Sequence, residues 1–163
     1  MSVIVVLFLA ATARLFIWPA RGMPATTSAI LALDVPDGDV GTAVRLAEQR
    51  RVPYLLVSLG LSQSGYPCPH HVTGVRLICL NPDPATTQGE AEYAGRLARA
   101  HHWRSITLVT ITPQDTRARL RMQRCFSGPV YVVTTPIPVH RWPYQLAYEW
   151  GALTKALVLQ RSC

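Results

Sequence analysis

Five short runs of the chain are apolar with no polar alternation, and nothing else in the sequence constrains the fold as strongly. They are "SAILALD" (28–34), "PYLLVSLG" (53–60), "VRLICL" (75–80), "SITLVTIT" (105–112) and "PVYVVTT" (129–135). Successive side chains of a strand point to opposite faces, so a strand apolar throughout needs cover on both sides. Helical spacing between the runs supplies that cover. Val40, Ala43, Val44 and Ala47 form a stripe in "VGTAVRLAEQRR", as do Ala91, Ala94, Leu97 and Ala98 in "TTQGEAEYAGRLARAHH". A third helix is expected from Pro113, which fits a first helical position, to about Cys125. A fourth closes the chain in "YQLAYEWGALTKALVL". Strands alternating with such helices predict a doubly wound α/β domain on a mostly parallel sheet. At 163 residues there is room for one full core and not for two.

Ahead of this domain, "MSVIVVLFLAATARLFIWPARG" is the most apolar stretch, with residues 3–13 free of charge. Through Ala20 it approaches the roughly 20 residues that a bilayer crossing needs. Trp18 followed by Arg21 suits an interfacial end. The basic start and small-residue cleavage site of a secretory signal are missing. Residues 1–22 are therefore read as a single-pass membrane anchor, with the domain at 26–163 outside the cytoplasm. A buried first strand or helix is the alternative. Arg14 and Arg21 both lie on the C-terminal side, which sits awkwardly with the excess of basic residues expected on the cytoplasmic side.

The formal net charge is +7, carried almost wholly by arginines scattered from Arg14 to Arg161; Lys155 is the single lysine. Without a basic block or interleaved surface aromatics, this argues against nucleic acid and leaves a membrane surface or a small anionic ligand. The four cysteines, Cys68, Cys79, Cys125 and Cys163, form no zinc spacing with His70 and His71, and no metal site is expected. In an oxidising compartment one bridge among Cys68, Cys79 and Cys125 is expected, its pairing open.

Ligands of open α/β sheets lie beyond the C-terminal strand ends, near helix N-termini. "DVPDGD", "SLGLS", "NPDPATTQGE", "TITPQDTR" and "TTPIPVHR" all fall there. Thr87 and Glu90 have the spacing of a capping box. Arg117, one turn into its helix, is placed to pair with Glu90 or to hold an anion. The competing reading puts Arg117, Arg121 and Arg124 on one solvated face. No G-x-G-x-x-G, phosphate-binding loop or G-x-S-x-G elbow is present. Ser58 ends a strand without visible triad partners, and His140 lies at this edge alone in sequence.

The stretch "NPDPATTQGEAEYAGRLARAHHWRSITLVTITPQDTRARLRMQRCF" and the ending "YEWGALTKALVLQR" resemble the YdcF-like family, which includes the SanA and ElyC envelope proteins, and its compact actinobacterial members in particular. The resemblance covers roughly residues 26–160. It implies a Rossmann-like three-layer domain, often behind an N-terminal membrane anchor. Thr87 stands at the motif threonine, Thr110 at the threonine closing the strand, and Arg117-Ala118 at an Arg-Ala pair. Gln114 stands where the family usually has His, Asp34-Val35 where Gly-Gly is common, Asp39 near its usual Arg, and Leu59 within a Ser-Gly-Gly. Gln114 cannot exchange a proton near neutral pH, which removes the expected acid/base group.

The expectation is a membrane-anchored, extracytoplasmic domain that binds a small anionic or nucleotide-like ligand in cell-envelope biogenesis. Its binding residues would be Ser58, Thr87, Glu90, Thr110, Thr112, Gln114 and Arg117. S-adenosylmethionine or another nucleotide-like ligand is what the resemblance implies. A structural or interaction protein that has lost its site is one alternative, and a transferase or hydrolase acting on phosphorylated envelope precursors is another.

Overall fold

The structure is a computed structural model and describes residues 2–19, 22–35, 40–59 and 68–163. The expectations attached to Arg21, to Asp39 and to residues 61–67 lie outside the described residues. Five strands, β1 (Ala29–Ala32), β2 (Tyr54–Ser58), β3 (Arg76–Leu80), β4 (Ile106–Ile111) and β5 (Val130–Thr135), form one sheet in the order β3-β2-β1-β4-β5. All four pairings are parallel, with Leu31 of central β1 beside Leu56 and Leu108. This is the Rossmann-like α/β architecture, and the apolar runs are its reason. Odd residues of β1 (Ala29, Leu31) pack with α3 (Thr87–Ala100) and α4 (Asp115–Cys125), while Ile30 and Ala32 pack with α2 (Val40–Gln49). The final helix, α5 (Trp142–Val158), lies against α4.

Two close approaches fix the helices that frame the site. At Gly89 an added Cβ would lie 1.9 Å from the Pro84 carbonyl oxygen, so the turn after β3 lies directly on the first turn of α3. At Gly95 a Cβ would lie 2.6 Å from the Cys125 carbonyl oxygen, where α3 crosses the end of α4. The cap of α3 is Thr86, whose hydroxyl accepts from the Gly89 N–H, and not Thr87 as the spacing suggested. Thr87 and Glu90 are used elsewhere.

The chain begins as α1 (Ser2–Thr12), continued by a π-helical turn over Ala13–Ile17. Of the buried strand or helix weighed against the anchor, a helix forms, and it is buried only around Thr12 and Phe16. Side chains 3–9 of α1 are exposed, whereas Phe16 is fully buried. Among the described residues no helix is long and apolar enough to cross a membrane. The base of α1 is held by Trp150 of α5, which stacks on Phe8, meets Phe16 edge-on and donates from Nε1 to the Thr12 hydroxyl at 3.1 Å.

Disulfides join Cys68 to Cys79 and Cys125 to Cys163. The single bridge expected among the first three cysteines becomes two. The C-terminal tail carries Cys163 back to the end of α4, a return that linear spacing does not reveal.

Candidate functional site

The sheet order reverses between β1 and β4, and a crevice opens at their C-terminal ends, where open α/β sheets place ligands. A cavity of about 370 Å³ occupies it. Asp34 and Val35 reach it from β1, the turn 82–86 from β3, Thr87 and Glu90 from α3, Ile111 and Gln114 from β4 and the 3-10 turn after it, and Arg117 from α4. The remaining wall is α5, with Tyr144, Gln145, Tyr148 and Glu149.

Arg117 is the hub. Its Nε donates to Glu149 Oε2 at 2.7 Å and its Nη2 to Glu149 Oε1 at 2.8 Å, a two-bond fork, while Nη1 donates to the Thr87 hydroxyl at 2.8 Å. The guanidinium also lies 5.8 Å from the Tyr148 ring centroid. Burial acts to lower the basicity of this group; the bond and charge of Glu149 outweigh it and push the guanidinium further up from its usual value. The expected ion pair with Glu90 is not the one formed. Glu149 takes that place because α5 runs alongside α4 and sets its carboxylate in the plane of the fork.

Thr87 is fixed by what it accepts. Its oxygen receives both Arg117 Nη1 and Gln114 Nε2, the latter at 3.0 Å. With both lone pairs occupied, its own proton is left for a third partner, so Thr87 faces the cavity as a donor. Gln114 is oriented in turn by Thr110, whose hydroxyl donates to its Oε1 at 2.8 Å. The amide is a strut between β4 and α3.

Glu90 is 3% exposed, and its Oε1 accepts from the backbone N–H of Asp34 at 2.8 Å. Burial raises its carboxyl from the ordinary 4.5 to about 7, with a smaller push from the Asp34 charge. The Asp34 N–H, the nearby Ser58 hydroxyl and the Arg117 charge oppose the rise. The Ser58 hydroxyl is buried and near enough to favour the ionised form, yet it makes no hydrogen bond of good geometry.

Of the seven residues singled out in the sequence, Thr87, Glu90, Gln114 and Arg117 line the cavity together. Thr110 stands behind Gln114, and Ser58 is buried beside Glu90. Thr112 turns away to β5, with the Thr135 carbonyl oxygen at 3.2 Å. His140 is exposed and does not line the cavity. Sequence reasoning missed the α5 wall. Its signal was present: the buried stripe Leu153 and Ala156 runs back onto Glu149 and Gln145, so a core-facing stripe turns polar where it meets the crevice.

The arginines read as a solvated face are a seam instead. Arg121 is 5% exposed and donates to the backbone and side-chain oxygens of Gln160, and Arg124 donates to the Ala156 and Gln160 carbonyls. Among the described residues no cluster of three or more His, Cys, Asp or Glu is arranged to hold a metal ion. The chain matches no family model, no curated protein and no solved structure.

Proposed function

We propose that this is a ligand-binding domain of the YdcF-like kind, tethered at a cell-envelope membrane by its N-terminal segment, whose cavity takes a small nucleoside-like ligand. The observation that carries the reading is the convergence of Thr87, Glu90, Gln114, Arg117 and Glu149, from three helices and a strand end, on one cavity at the point of sheet reversal. Its size is in the range of small-molecule sites. Tyr144 and Tyr148, exposed and parallel at 6.1 Å, offer flat apolar surface to a ring, while the Thr87 O–H and the remaining N–H bonds of Arg117 offer donors to its polar substituents. The exposed apolar side chains of α1 support the tether.

Thermal unfolding of the full chain in detergent micelles, with adenosine, adenosine monophosphate and S-adenosylmethionine, tests the binding reading. A ligand at a hundredfold over its dissociation constant adds about 2.7 kcal/mol, a rise of several degrees. The rise should vanish in Thr87→Val. Equal rises in parent and variant, or none with any compound, reject the site. Flotation of the chain with phospholipid vesicles, abolished when Val3, Val6 and Leu7 become Ser, tests the tether; unchanged flotation rejects it.

A further inference from the structure

The cavity wall carries three carboxylic side chains, Asp34, Glu90 and Glu149, against one cation, Arg117. Glu149 and Arg117 neutralise each other through their two-bond fork. Asp34 has interactions of its own. Glu90 is the carboxyl for which the described lining residues provide no direct cation. One of its oxygens is held by a backbone N–H, and the buried Ser58 hydroxyl beside it favours its ionised form. A buried carboxyl on a cavity wall, with no direct cation among the described lining residues, forms a receptor for a donor-rich positive group.

We infer that the ligand presents a protonated amine to Glu90 at the inner end of the cavity, with its ring toward Tyr144 and Tyr148. This rests on the nucleoside-like reading above and adds the charge of the ligand. The proton that Glu90 holds near neutrality stands where the ligand's cation will stand; on binding, that proton leaves to solvent and an ammonium–carboxylate pair replaces it. The groups facing Glu90 are Asp34 at the end of β1, Ser58 at the end of β2 and Arg117 on α4, with Glu149 and Tyr148 of α5 across the cavity. Asp34 favours the incoming cation. Arg117 opposes it, but its charge is answered by Glu149.

Three probes share one ring and differ in charge: 5′-amino-5′-deoxyadenosine, adenosine and adenosine monophosphate. Calorimetry on the full chain in micelles at neutral pH should rank them in that order. A charge-assisted hydrogen bond makes the amine about tenfold tighter than adenosine. The amine should release protons on binding, seen as a dependence of the heat on the buffer's ionisation enthalpy. In Glu90→Gln the preference for the amine should collapse. If adenosine binds but the monophosphate equals or exceeds the amine, the charge inference falls while the nucleoside reading stands. If no nucleoside binds, the nucleoside reading falls, and the charge inference is then decided by the ¹³C carboxyl resonance of Glu90. Ethylammonium chloride must lower the pH midpoint of that resonance relative to sodium chloride at equal ionic strength, and no difference overturns the inference.

Discussion

Replacing either partner of the Arg117–Glu149 pair should cost far more than replacing both. The two side chains keep 11% and 1% of their surface exposed and are joined by bonds of 2.7 and 2.8 Å. Removing one charge at such burial strands the other, which costs about 3–5 kcal/mol, whereas hydrophobic replacement of a whole buried pair is often close to neutral. Arg117→Met and Glu149→Leu should therefore each lose about 3–5 kcal/mol, and the double variant should lose less than either single one. Thr87 limits the recovery, because it loses the Arg117 donor in the double variant and keeps only Gln114. Urea unfolding of the full chain, followed by tryptophan fluorescence with disulfides kept oxidised, gives the four free energies. A domain with 5–15 kcal/mol of stability leaves each single variant measurable. Costs that add to within about 0.5 kcal/mol, or single losses below about 1 kcal/mol, would mean that the pair behaves as a solvated one and that Arg117 is not the hub.

Glu90 gives a pH signature. Its folded carboxyl ionises at about 7 and its unfolded one at 4.5, so the native state binds the extra proton between these values. This group's contribution is greatest below pH 4.5 and falls as pH rises through about 7, by roughly 3 kcal/mol in all. Glu90→Gln keeps an acceptor for the Asp34 N–H and should flatten that part of the stability profile, leaving the variant more stable than the parent at pH 8; parallel profiles contradict the assigned burial. Gly89→Ala should lower the melting temperature by an amount worth about 1–3 kcal/mol, because its Cβ would strike the Pro84 carbonyl. Gly151→Ala on α5, where a Cβ meets nothing within 4 Å, should raise stability by about 0.5–1 kcal/mol. The same sign for both substitutions would remove the turn after β3 as the element that fixes the cavity wall.

The sheet was legible because parallel strands buried on both faces show it in composition alone. All five runs became strands, each one to three residues shorter than its run. Part of the cavity wall was legible at the N-terminal ends of α3 and α4, where Thr87, Glu90, Gln114 and Arg117 follow from position in a doubly wound sheet. The helix cap was misplaced by one residue because two adjacent threonines share the same local chemistry. Tertiary structure assigns Thr86 to the cap and Thr87 to Arg117 and Gln114. The partner of Arg117 lies 32 residues away on α5, a separation for which no local spacing rule exists.

That seam also explains what the net charge of +7 does not mean. Arg117, Arg121 and Arg124 recur along one face of α4, a pattern that suggests an exposed basic stripe. Instead each guanidinium is held within the fold: the first by the Glu149 carboxylate, the second by Gln160, the third by carbonyls at the end of α5. Cations there answer the negative end of the α5 dipole and satisfy oxygens that its last turn leaves open. The Cys125–Cys163 bridge closes the same seam covalently. The basic stripe thus holds α5 against α4, and α5 in turn supplies the wall that carries Glu149 and the two tyrosines. Positive charge on this face of α4 shapes the cavity more than it fills it, and Glu90 is left as a lining carboxyl with no direct cation among the described lining residues.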